Sequence, residues 1–218
     1  MVNWIIKKTS ILIDGVCRAF GKYVKNRYYT SRLGYCGKNV VIKKPEYVSD
    51  YSLLELHDNT CLYEGFLFIS KGGKLIMKDG SGAAQRLTVI TGNHGRSVGI
   101  PFKQEDGNVQ FSLNKEENII IEEDVWIGSD VVLCSGVTIG RCANIGAGTV
   151  VRHKIPPYAI VIGNPAKIIG FCFTPEEAFE HEKAIYPEEI RLPFEELEKN
   201  YRRYFLNRLN ESKQINKL

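Results

Sequence analysis

Four histidines and six cysteines are the side chains of this 218-residue sequence best suited to chemistry near neutral pH. An imidazole titrates close to neutrality, so His57, His94, His153 and His181 are candidates for proton transfer or metal binding. A catalytic zinc site needs three protein ligands and an open fourth position for water. His94 has no histidine partner before His153, so the spacing does not supply that set and no metal is expected. The cysteines (Cys17, Cys36, Cys61, Cys134, Cys142 and Cys172) form no CxxC pair and no dense framework, and read as reduced thiols of a cytoplasmic protein. In Thr91-Gly92-Asn93-His94 no Cys or Ser stands beside the histidine, so no covalent intermediate is expected there.

A repeat shows which elements must position these groups. Steps of six from Ile121 give Ile127, Leu133, Ile139, Ile145 and Val151, all branched aliphatics. Four places after each stand Val125, Val131, Val137, Ala143, Thr149 and Ile155, all small or β-branched. This period fits neither a helix, with about 3.6 residues per turn, nor a lone strand, with a period of about 2. It fits a solenoid of short strands with a turn every sixth residue, the aliphatics stacking inward from coil to coil. Gly128, Gly140 and Gly146 follow aliphatics and are expected to serve the turns. Upstream, Ile42, Val48 and Leu54 step by six, as do Ile69, Leu75 and Leu87, with Ser81 breaking the series. From Leu87 to Ile121 the spacing of 34 is no multiple of six, so the chain leaves the coil in an excursion, assigned to residues 93–118. A polar, glycine-containing insertion of this kind is more often functional than idle. Pro156-Pro157 and Asn164-Pro165 read as punctuation after the last regular repeat.

The charge is unevenly divided. Overall it is +4, with 44% hydrophobic and 25% charged residues, which excludes wholesale disorder. Residues 1–32 hold seven Lys or Arg against the single Asp14, a net +6. Ile5, Ile11, Leu12, Val16, Phe20 and Tyr23 alternate with Arg18, Lys22 and Lys25 there, as in an amphipathic basic helix that packs on the protein or lies on anionic lipid. No secretory signal or spanning segment is expected, because short apolar runs are broken by Lys7, Lys8 and Asp14. A nucleic-acid partner is not expected, since residues 33–170 are balanced at fourteen charges of each sign. Residues 171–218 are rich in helix formers, with Thr174-Pro175-Glu176-Glu177 as a helix start and Pro187 and Pro193 dividing about two helices. That tail reads as a packing appendage without chemistry of its own.

The runs VWIGSDVVLCSGVTIGRCANIGAGTVV (125–151), IPPYAIVIGNPAKIIG (155–170) and TGNH (91–94) resemble the hexapeptide-repeat acyltransferases. They look closest to sugar O-acetyltransferases of the maltose and galactoside type and to acetyltransferases of polysaccharide biosynthesis. The resemblance implies a mainly β fold, a left-handed parallel β-helix over residues 33–170 between a helical segment at 1–32 and a helical tail at 171–218. It further implies a homotrimer with sites between subunits, and transfer of an acetyl group from acetyl-CoA to a hydroxyl. Residue by residue, it makes His94 the general base, Asn93 and Trp126 acceptor-site residues, and Ser129 and Ala147 contacts of the pantetheine arm. Coenzyme phosphates would fall to Arg152, His153, Lys154 and Lys167. The chain departs from the family at Arg152-His153, where Thr-Lys is usual, and at Gly170, where a basic residue is usual. Other acceptors (an antibiotic, serine or an amino sugar), an acyl-carrier-protein donor, and a non-catalytic trimeric scaffold remain alternatives on the same coil.

Overall fold

A computed structural model describes residues 16, 20–21, 23–93, 98–101 and 116–207. His94, residues 95–97 and 102–115 of the excursion, and 208–218 lie outside the described residues. Seventeen short strands dominate. Successive coils contribute β1 (Tyr35–Cys36), β2 (Val41–Ile42) and β3 (Tyr47–Val48), then β4 (Leu54–Leu56), β5 (Cys61–Leu62) and β6 (Leu67–Ile69). The third coil has β7 (Leu75–Met77), β8 (Gly82–Ala83) and β9 (Thr88–Ile90), and the fourth β10 (Ile119–Ile121), β11 (Trp126–Ile127) and β12 (Val132–Leu133). The fifth has β13 (Thr138–Ile139), β14 (Asn144–Ile145) and β15 (Val150–Val151), followed by β16 (Ala159–Ile162) and β17 (Lys167–Phe171). Strands three apart in sequence order pair in parallel, which builds three sheets around one core: β1-β4-β7-β10-β13, β2-β5-β8-β11-β14-β16-β17 and β3-β6-β9-β12-β15.

Both columns of the repeat point inward. Ile121, Ile127, Leu133, Ile139, Ile145 and Val151 are at most 1% exposed, and Val125, Val131, Val137, Ala143 and Thr149 are as deeply buried. Stacking each aliphatic on its counterpart, as Leu56, Met77, Ile121 and Ile139 do, keeps side chains of matched shape in contact along the axis.

The upstream register differs from the expected one. The inward residue of β6 is the fully buried Phe68, while Ile69 is 44% exposed. Ser81 and Leu87 do not interrupt the aliphatic column, because they occupy the second one, level with Val125 and Val131. Ser81 fits the core because its hydroxyl accepts the Val125 N–H and donates to the Glu122 carbonyl. The slips arise at one corner, between the third and first sheets, where a 3₁₀ turn (Tyr51–Leu53), the segment 70–74 and the large excursion all enter.

The glycines also act differently than expected. Left-handed backbone falls three residues after the aliphatic, at Asn39, Asn59, Gly80, Asp124, Cys142 and Tyr158 on one corner, and at Gly65, Arg86, Asp130 and Gly148 on the next. Asn, Asp and Gly tolerate that conformation best. Gly128 and Gly140 instead sit where coils approach closely, since a β-carbon would lie 2.6 Å from the Ala147 nitrogen or 2.5 Å from the Pro157 nitrogen. Nor does Pro156-Pro157 end the coil. Ile155 bridges to Ile139 and β16 pairs with β14, so the prolines sit within one further turn of the solenoid.

Helices flank the coils. In α1 (residues 23–30, with residues 16, 20 and 21 also helical), Asn26 ties the helix to the first coil. Its Nδ2 donates to the Val40 carbonyl at 3.0 Å and its Oδ1 accepts from the Ile42 N–H at 2.7 Å. β17 pairs antiparallel with β16 and leads into α2 (Pro175–Ile185), which starts at the expected Thr174, there closed with Glu177 into a capping box, and then α3 (Phe194–Tyr201). Among the described residues no helix is long and apolar enough to cross a membrane.

The tail is docked by a buried ion network. Arg141 Nη1 donates to Glu182 Oε2 at 2.8 Å and to the Ile190 carbonyl at 3.0 Å, while its Nε donates to Glu123 Oε2 at 3.1 Å. Glu182 is fully buried, and it also accepts from the Tyr158 hydroxyl at 2.7 Å and the Leu192 N–H at 3.0 Å. Burial opposes ionisation of Glu123, but a backbone hydrogen bond, Arg141 and Lys78 outweigh it and hold the carboxyl below its ordinary range. A depressed folded value stabilises the protein above the unfolded carboxylate pKa of about 4.3, and that stabilisation is lost as pH falls through the folded value. The melting temperature of the wild type should therefore exceed that of Glu123→Gln at neutral pH, with the gap closing below about pH 4.

Candidate functional site

The excursion is rooted at a polar clasp. Thr91 is fully buried at the end of the third-sheet strand β9, and its hydroxyl donates to Glu116 Oε2 at 2.6 Å. Its carbonyl accepts the Glu117 N–H at 3.0 Å and the Ser135 hydroxyl. The outgoing and returning strands are thus pinned within one hydrogen bond of each other. Gly92 leaves room for the Glu116 carboxylate, which a β-carbon there would displace from the clasp. Beside the clasp, Ile69, Ser70, Lys71, Ile90, Gly92, Asn93 and Glu116 line a small pocket of about 80 Å³. Asn93 is exposed at its rim, and His94 follows it outside the described residues. Sequence reasoning missed Glu116; the only signal was an acid three residues before the strand that resumes the coil.

Trp126 lies elsewhere. It projects from β11 on the outer face of the second sheet and is 47% exposed. Gly82, its partner on β8, leaves room for the indole, since a β-carbon there would lie 3.1 Å from Trp126 Cζ3. In a three-sided coil the second sheet is opposite the corner between the third and first sheets, where Asn93 sits. One chain therefore does not bring Trp126 and Asn93 together. Ser129 and Ala147 stack on the corner between the second and third sheets, where the Ser129 carbonyl accepts the Gly148 N–H at 2.9 Å. The Ser129 hydroxyl donates to Gln85 Oε1 at 3.2 Å, and Ala147 is exposed.

The cationic residues converge at the far end of the solenoid. His153, Lys154 and Lys167 line an open groove of about 640 Å³ with Ile155, Ala166, Ile168, Arg203, Tyr204 and Asn207. Among the described residues no Asp or Glu lines it. Arg152 is exposed next to His153 but is not among the lining residues. Arg203 and Tyr204 were not foreseen. They belong to a π-helical turn (Arg202–Leu206) of the tail, which lines the groove as well as packing on the coil. Arg202, one residue earlier, is paired with Glu198 at 2.6 Å, whereas Arg203 lies over the Tyr204 ring at 5.1 Å, and among the described residues no carboxylate pairs with it. Such a groove suits a polyanion with a flat ring system, because cations converge on it beside the face of Tyr204.

Four of the thiols are unsuited to nucleophilic work. Burial pushes Cys142 up to about 11, and burial also raises Cys36, Cys61 and Cys172. Thiols so shifted stay protonated at neutral pH, and only a thiolate attacks readily. Among the described residues no group of three or more His, Cys, Asp or Glu is placed to hold a metal ion.

Comparison with known proteins agrees with this geometry. Residues 118–153 match the family model for the bacterial transferase hexapeptide (six repeats). A chloramphenicol acetyltransferase of Klebsiella aerogenes is 40% identical over 107 residues, 45% of this chain and 50% of that protein. The chain thus spans about half the length of that curated relative. A hexapeptide-repeat acetyltransferase of Vibrio cholerae, solved with acetyl coenzyme A, is 25% identical with a TM-score of 0.57, covering 69% of this chain and 76% of that one. A maltose O-acetyltransferase of Clostridium difficile is 26% identical with a TM-score of 0.52, covering 66% and 72%. The inward-stacked six-residue repeat, the three-sheet coil and these likenesses together identify a left-handed parallel β-helix, the fold of the hexapeptide-repeat acetyltransferases to which the chain is similar.

Proposed function

We propose that the protein is an acetyl-CoA-dependent O-acetyltransferase acting on a hydroxyl of a sugar or polysaccharide precursor, as a homotrimer in the cytoplasm. The observation that carries the donor assignment is the groove at the end of the coil where Lys154, Lys167 and Arg203 converge with His153, with no acid among its described lining residues. Its chemistry fits the coenzyme's phosphates, and Tyr204 offers a ring face to its base. The solved Vibrio cholerae relative carries acetyl coenzyme A, and the maltose O-acetyltransferase supports a sugar hydroxyl as acceptor. When bound, acetyl-CoA supplies an activated acetyl carbonyl. His94 takes the proton of the acceptor hydroxyl as its oxygen attacks that carbonyl, and the same imidazolium then protonates the departing thiolate. Asn93 holds the acceptor beside it. The separation of Asn93 and Trp126 on opposite sides of one coil supports a site shared between subunits, with Trp126 of a neighbour facing the excursion.

A second acceptor class has its own support, because the chloramphenicol acetyltransferase relative acts on an antibiotic, as its name states. A drug hydroxyl would use the same base and donor groove.

The first test is calorimetric titration of acetyl-CoA into the protein, followed by transfer assays on sugar and antibiotic acceptors. Lys167→Ala and Arg203→Ala should each weaken acetyl-CoA binding by about tenfold or more, the loss of one charge-assisted contact. With a donor truncated to acetyl-pantetheine, the two variants should match the wild type. No binding of acetyl-CoA to the wild type would sink the enzyme reading in favour of a scaffold or a carrier-protein donor. Equal donor affinity of variants and wild type would move the phosphates out of this groove.

A further inference from the structure

The basic N-terminal segment is not absorbed by the transfer reaction, and its described part has two unlike faces. Asn26 and Tyr29 pack α1 against the first coil. The opposite face is apolar and open: Val16, Phe20, Val24 and Tyr28, at steps of four, are 63%, 68%, 47% and 58% exposed, and Tyr23 beside them is 68% exposed. Residues three and four apart form one stripe along a helix. Arg27 is exposed on the same side, and Arg32 sits over the Tyr28 ring at 5.5 Å. Next to the helix, Lys25, Lys43 and Lys44 rim a recess of about 210 Å³ that also includes Asn26, Tyr29 and a single acid, Glu64.

We propose that the exposed stripe of α1, with Arg27 beside it, docks the protein on an anionic lipid surface. The cations would face the headgroups while Phe20, Val24 and Tyr28 enter the boundary with the acyl chains. A second copy of the chain is a poorer occupant. Residues 33–170 carry equal numbers of each charge and the tail only two excess acids, so the rest of the chain offers little net attraction to the net +6 of residues 1–32. Nucleic acid suits it less well, because the aliphatic Val16 and Val24 contribute nothing to phosphate or base contacts. The recess lies at the first coil and the cationic groove at the last, so docking leaves the groove free.

The test is flotation of the full chain with vesicles of phosphatidylcholine alone, or with about one-third phosphatidylglycerol. The wild type should rise with the anionic vesicles only, and its bound fraction should fall as salt is raised. Phe20→Glu with Val24→Glu should reduce partitioning about tenfold or more, and Arg27→Glu should weaken it and flatten its salt dependence. These exposed positions leave the core intact, which an unchanged circular-dichroism melt and unchanged acetyl-CoA affinity would verify. The proposal is overturned if the wild type fails to float on anionic vesicles, or if the Phe20/Val24 variant floats equally well. It is also overturned if that variant contains fewer copies per particle by light scattering while the wild type ignores lipid, since the face is then a subunit contact.

Discussion

His94→Ala is expected to lower acetyl-transfer turnover by about 10²–10⁴-fold while leaving acetyl-CoA affinity within a few-fold. The magnitude follows from the acceptor. A hydroxyl is almost wholly protonated at neutral pH, and only a base acting during attack avoids forming a free alkoxide. The donor contacts assigned to Lys167 and Arg203 are far from Asn93 in the fold, at the last coil and not at the excursion, so binding and chemistry should separate cleanly. The pH profile gives an independent check: the wild-type rate should rise through an ionisation near neutrality that the variant lacks. Turnover of His94→Ala at the wild-type rate would end the general-base assignment without touching the donor groove.

Arg141→Met should destabilise the protein by about 3–5 kcal/mol, measured by urea unfolding. The cost comes less from the lost attraction than from what stays behind. Glu182, fully buried, would keep its Tyr158 and Leu192 hydrogen bonds but lose its only ion-pair partner among the described residues. Glu182→Gln in the same background removes the stranded charge and should recover part of the loss, whereas an exposed pair such as Arg86 with Asp130 should matter little. Because Arg141 also anchors Ile190 and stacks on Tyr186 at 4.0 Å, its loss should free the tail and, with it, Arg203. Donor affinity should then fall in parallel with stability. If Arg141→Met unfolds like the wild type, the network is not what holds the tail.

The solenoid was legible where nothing interrupts it. From Ile121 to Val151 each inward aliphatic recurs at six residues because each coil turns three times with the same number of residues per side. Upstream the same rule failed to give the register, since inserts at one corner shift the count while leaving the stacking intact. A shift of one residue placed Ile69 inward when Phe68 fills the core. The glycines were misread for a related reason: composition marks a small residue, but only the neighbouring coil shows whether the need is for left-handed backbone or for room.

The amino-acid sequence by itself determined the six-residue coil, the position of the excursion, the capped helix after Thr174 and the cations at Lys154 and Lys167. These are written in local spacing, which a chain carries whatever its tertiary fold. Only the tertiary structure decided that Glu116 clasps Thr91, that Trp126 and Asn93 stand on opposite sides of one coil, and that Arg203 reaches the groove of Lys154 and Lys167. Those pairings join residues about 25 to 50 positions apart, and they depend on where the coil stops and how the buried Arg141–Glu182 pair turns the tail back onto it.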